Sequence, residues 1–135
     1  MNILEKTKQI IAKHNVVANS LSFNPFKVRN EKDIGLACHE EFKGAYEKVT
    51  ELWKKYGERV GENWYGFDVD QWPLNWLEAL DEFLTELEKD SPDFEILQNK
   101  LKYGGARLYY NNISEDAEKA VDLLESVMYD KNLIY

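Results

Sequence analysis

Ser91–Asn112, SPDFEILQNKLKYGGARLYYNN, decides the fold, and it carries two contradictory signals. Ser91, Pro92 and the acids that follow have the composition of a helix start, with Gly104-Gly105 as the stop. The same Gly104-Gly105, set between two runs that alternate apolar and polar residues, has the composition of a hairpin turn. We read the hairpin. With Gly104-Gly105 as a two-residue loop, Tyr103 faces Ala106, Leu101 faces Leu108 and Asn99 faces Tyr110. One face then carries Leu97, Leu101, Tyr103, Leu108 and Tyr110; the other carries Lys100, Lys102, Arg107 and Tyr109. Lys102 opposite Arg107 is unfavourable unless an acid stands nearby. The chain is then α+β, a helix-rich single domain over residues 1–135 with about four helices and a C-terminal β-hairpin around Gly104-Gly105. A helix over 92–102 would instead make it nearly all-α.

The acid that such a hairpin needs lies just upstream. Glu62–Glu95 holds eleven acids and one base, Lys89, a net charge of −10 in a chain of net charge −8. Met1–Asn30 is +4 and Ile96–Asn112 is +3. A helix is expected from near Trp72-Pro73 to Asp90, with proline in its first turn. Leu77, Leu80, Leu84 and Leu87 mark its apolar face. Glu78, Glu82, Glu86 and Asp90 fall at steps of four, about 6 Å apart along one face. Each such like-charge pair costs a few tenths of a kcal/mol, about 0.2–0.5. A solvated face accounts for such a row; so does a docking surface for something basic.

The rest of the chain reads as follows. Ile3, Leu4, Ile10, Ile11, Val17, Ala18 and Leu21 predict a helix over 2–21, with His14 on or near its packed stripe. Ser22–Asn30 is a connector around Asn24-Pro25. Ile34 to Tyr56 predicts a helix over 31–56, containing Gly44 and stopped by Gly57. Glu58–Gln71 is a long loop that Trp64, Tyr65 and Phe67 could pin. A last helix over 115–129 is capped by Ser114. Leu133, Ile134 and Tyr135 make an apolar tail that packs back or meets a partner.

Lys102-Tyr103-Gly104-Gly105-Ala106-Arg107-Leu108-Tyr109 resembles a motif of small uncharacterised bacterial proteins, Lys-Phe-Gly-Gly-Leu-Arg-Phe-Tyr. Those proteins often place a Trp-bearing acidic helix before the motif, as Trp76-Leu77-Glu78-Ala79-Leu80 does here, and a helix after it. The resemblance covers the second half of the chain. Ala106 replaces the usual Leu, and the Cys pairs that often follow are absent. The resemblance implies a hairpin followed by a helix and carries no activity.

Chemistry is sparsely signalled. Cys38-His39-Glu40-Glu41 holds nucleophile and base types, but adjacent helical residues point about 100° apart. Two His and one Cys, without paired Cys or a His-Glu-x-x-His run, give no zinc signature. Phe67-Asp68-Val69-Asp70 begins like a calcium loop, but Trp72-Pro73 stands where an oxygen ligand and glycine belong. Neither cofactor nor metal is expected. Net charge −8 disfavours direct nucleic-acid binding. No apolar run reaches membrane-span length, and no signal-type core begins the chain. A single cysteine suits the cytoplasm.

The expected function is that of a small acidic, non-enzymatic binding protein. It would dock a basic, nucleic-acid-binding protein as an inhibitor or immunity-type protein does. The expected contact residues are Trp64, Tyr65, Asp68, Asp70, Trp72, Glu78, Glu82, Glu86 and Asp90. Two alternatives stand beside it. One is a carboxylate-based hydrolase with its site near Trp64–Trp76. The other is a self-associating structural protein, a homodimer joining basic hairpin to acidic helix.

Overall fold

A computed structural model describes residues 1–16 and 43–129. In chain order they form α1 (Ile3–His14), α2 (Ala45–Tyr56), a 3-10 turn (Gly57–Arg59), β1 (Gly66–Asp68), α3 (Leu74–Asp90), β2 (Glu95–Lys102), β3 (Gly105–Asn111) and α4 (Glu115–Val127). The fold is α+β, and the hairpin reading of Ser91–Asn112 holds. The strands lie in the order β1-β2-β3, β1 parallel to β2 and β2 antiparallel to β3.

α3 is the centre of the molecule. Trp76, Leu77, Leu80, Phe83, Leu84 and Leu87 are all fully buried. They occupy more than one face of the helix because α1 and α2 both pack on it, while Phe83 reaches the sheet at Tyr110. Burying each such side chain contributes about 2 kcal/mol. α1 packs on α4 as well as on α3. The predicted Ser114 cap forms, its Oγ accepting from the Ala117 N–H, and Asn2 Oδ1 does the same for Glu5 at the start of α1.

Several expectations are corrected. The turn is Tyr103-Gly104, not Gly104-Gly105. Both residues are left-handed, at φ 54° and 80°, as a type I′ hairpin turn requires. Lys102 therefore pairs with Gly105, Lys100 with Arg107 and Asn99 with Leu108. The register differs by two from the expected one, so the faces largely survive and the like-charge pair becomes Lys100–Arg107. The cause is distant in sequence. Ala106 N–H donates to the Met128 carbonyl, and Gly105 bridges to Tyr129, so the end of α4 draws Gly105 into β3. Leu97 is left unpaired by a bulge between Ile96 and Gln98. Ile96, not Leu97, is the fully buried residue there, and Tyr103 is exposed at the turn.

α1 ends at His14, with Asn15 left-handed at φ 52°, short of the predicted 21. α2 begins after Gly44, which caps it at φ 84°, so Gly44 is not inside a longer helix. The loop after α2 contains the 3-10 turn and β1, neither of which was expected. The Ser22–Asn30 connector, the 31–42 part of the predicted helix with Cys38 and His39, and the Leu133–Tyr135 tail lie outside the described residues.

Candidate functional site

The acidic row of α3 faces α1. Lys6 Nζ lies 2.8 Å from Glu86 Oε2, and Lys13 Nζ lies 2.5 Å from Glu82 Oε1. His14 Nε2 is 3.2 Å from the same Glu82 oxygen, and its Nδ1 is 3.9 Å from Glu78. Sequence reading put His14 on a packed stripe; it is largely buried there, against acids. Lys6, Gln9, Ile10, Lys13, Glu82, Thr85 and Glu86 line a cleft of about 380 Å³ between the two helices. Burial pushes the Glu82 carboxyl up, but the hydrogen bond from Lys13 and the neighbouring His14 ring outweigh it and hold it below its usual value. The hydrogen bond from Lys6 holds Glu86 down likewise. Asp90 is engaged differently, accepting from the hydroxyls of Ser91 and Ser114 at the start of α4. Of the three acids that face α1, Glu78 keeps the most open side chain, and Asp90 is exposed.

Sequence reading missed Asp81, the one carboxylate side chain buried among the described residues. It accepts hydrogen bonds from Lys48 Nζ and Lys55 Nζ, each at 2.6 Å, and from the Tyr56 hydroxyl at 3.1 Å. Those three donors stand on α2, so the cluster locks α2 to α3. Lys48, Lys55 and Tyr56 fall at helical spacing, which was the available signal; their common partner was not.

The expected aromatic contacts divide. Trp72 is fully buried, packed edge-on to Trp76 at 5.9 Å. It is core and cannot anchor a partner. Trp64 and Tyr65 are 51% and 71% exposed. Asp68 and Asp70 are exposed beside them, and among the described residues no cation lies within 4 Å of either. Gly66 explains the shape of this loop. Its φ is +66°, and a Cβ there would meet the Trp53 ring at 2.5 Å. The chain thus crosses directly over Trp53, whose ring stands edge-on to Phe67 at 5.3 Å. With Phe67 turned into the core, Trp64 and Tyr65 remain outside.

A hydrolase near Trp64–Trp76 would use Asp68 and Asp70, and both stand on the surface. Among the described residues the carboxyl that burial leaves above its usual value, Glu125, lies elsewhere, on α4. Among the described residues no group of three or more His, Cys, Asp or Glu side chains could hold a metal ion. No helix among them is long and apolar enough to cross a membrane.

Comparison with protein-family models, with curated protein sequences and with solved structures returns no match. The meaning of the site is therefore read from its geometry.

Proposed function

We propose that this chain is a non-enzymatic binding protein that docks a basic protein partner, in the manner of an inhibitor or immunity protein. The docking element is the loop carrying Glu62, Trp64, Tyr65, Asp68 and Asp70. One observation carries the reading: two large aromatics stand exposed beside carboxylates that no described cation neutralises. Trp and Tyr are the side chains that most often anchor interfaces, and unpaired acids steer and orient a basic partner. The α3 row does not contribute, because α1 already occupies it. A single cysteine in the sequence supports a cytoplasmic setting.

The test begins with a partner captured from the native host and purified. Its affinity is then titrated against ionic strength. Affinity is expected to fall steeply with salt. It should drop at least about tenfold for Trp64→Ala with Tyr65→Ala, drop again for Asp68→Asn with Asp70→Asn, and stay unchanged for Glu82→Gln with Glu86→Gln. Salt-indifferent binding, or binding that ignores the loop variants, would overturn the reading.

One observation favours a second reading, association between copies. Lys100 stands directly opposite Arg107, and among the described residues neither has a carboxylate within 4 Å. A basic strand face of one copy could meet the acidic loop of another. Light scattering at low and high salt decides it, and a monomer under both conditions rejects it.

A further inference from the structure

We infer that the groove between β3 and α4 receives one lysine or arginine side chain. This rests on the basic-partner reading for its biological source, but the groove's chemistry stands on its own. Its volume is about 300 Å³, and Leu97, Leu108, Tyr109 and Val121 supply apolar walls while Glu118 and Asp122 stand among them. The bulge that frees Leu97 from the ladder brings that side chain into the lining.

The groove opens because α4 is fastened to β3 by its C-terminal half. The Met128 carbonyl takes the Ala106 N–H, and the Glu125 carboxylate takes the Leu108 N–H. Glu118 stands in the first half of the helix and Asp122 at its middle, one turn short of Glu125. They are four residues apart and so share a face. The only base on α4 is Lys119, and it lies 4.0 Å from Glu115 instead. Among the described residues no cation lies within 4 Å of Glu118 or Asp122. The nearby Lys100 ammonium is directed to the Tyr109 ring, 5.7 Å from its centroid, and the two carboxylates outnumber it.

Lysine and arginine match this combination. Each lays an apolar stem along a hydrophobic wall while its charged head reaches a polar rim. A neutral apolar side chain would fill the walls and leave both carboxylates as they are. The head group is thus what the acids select, and the stem is what the apolar walls hold.

The probes are the N-acetyl methylamides of lysine, arginine and norleucine, titrated into the ¹⁵N-labelled chain and followed by NMR. Lysine or arginine is expected to shift the amides of Tyr109, Val121 and Asp122, and to bind about fivefold more tightly than norleucine. Glu118→Gln with Asp122→Asn should abolish that preference without lowering the melting temperature. Equal binding of norleucine, or shifts spread over every surface acid, would overturn the inference, as would a preference that survives the double variant. The Trp64→Ala and Tyr65→Ala variants separate this from the loop reading. They should leave probe binding intact, so that loss of the protein partner alone would sink the loop and spare the groove.

Discussion

Lys6 carries its ammonium from α1 to within 2.8 Å of the Glu86 carboxylate on α3. With Lys13 on Glu82, it turns a row of like charges into a seam between helices. The pairs are partly open to solvent, so each contributes modestly to stability. Their arrangement explains the segregated charge of the sequence: the basic N-terminal helix and the acidic helix are packed together.

That seam, together with the Asp81 cluster between α2 and α3, gives a pH dependence whose sign is fixed. Asp81, Glu82 and Glu86 all have carboxyls held below their usual values. The folded chain thus binds their protons less readily than the unfolded chain. Their contribution is present above the unfolded carboxylate value of about 4 and is lost as pH falls through the folded values. Melting temperature should fall between pH 6 and pH 3, and Glu82→Gln with Glu86→Gln should fall less over the same interval. An identical acid-side slope in both proteins would contradict the seam.

The Asp81 cluster should dominate the α2–α3 contact. Burial alone would raise this carboxyl, yet the hydrogen bonds from Lys48 and Lys55 outweigh it. Asp81→Ala removes the acceptor and strands two partly buried ammonium groups, at a cost of about 3 kcal/mol. Tyr56→Phe removes one hydroxyl from the network and should cost about 1 kcal/mol. On the basic side, Lys48 and Lys55 are both raised. Their contribution is complete below the unfolded lysine value of about 10.4 and declines as pH rises through the folded values. Urea denaturation of the variants measures the first two effects. A cost for Asp81→Ala no larger than that of a surface substitution would show that the cluster is not a lock.

Local chemistry explains which parts of this fold were legible in the sequence. The span of α3 was readable because Pro73 opens it and its leucines keep helical spacing. The Ser114 cap and the hairpin were readable for the same local reasons. The register was not, because Met128 and Tyr129 draw Gly105 into β3 from outside the hairpin. Gly44 gave no local sign that it starts a helix at positive φ, and β1 is three residues whose pairing with β2 crosses all of α3. At the site, Trp64 and Tyr65 were recognised as prominent, but composition could not separate them from Trp72, which differs only in facing the core. The row of acids was visible; its closure by α1 is a tertiary fact.

Tyr103 offers a test of the corrected turn. It is left-handed at φ 54° and 77% exposed, so it adopts a strained backbone without gaining much burial. Asparagine tolerates that conformation and is favoured before glycine in this turn type. Tyr103→Asn should therefore raise stability by about 0.5–1 kcal/mol, measured by chemical denaturation. Destabilisation would argue against a Tyr103-Gly104 turn.

Glu125 is a carboxylate that folding holds against its preference. Burial raises it most, and the hydrogen bond from the Leu108 N–H and the charge of Arg107 only partly offset that. A carboxyl raised in the folded state favours folding most below its unfolded value and loses that contribution as pH rises through the folded value. At neutral pH, Glu125→Gln should keep an acceptor for Leu108 while removing the buried charge, leaving stability unchanged or higher. Glu125→Ala should leave the Leu108 N–H without its partner, costing about 1–3 kcal/mol. It should also uncover the β3 edge, so that the Leu108 amide exchanges its hydrogen faster. The contrast between the two variants is the measurement. If glutamine is as damaging as alanine at pH 7, the ionised carboxylate itself is required, and the direction assigned to Glu125 is wrong.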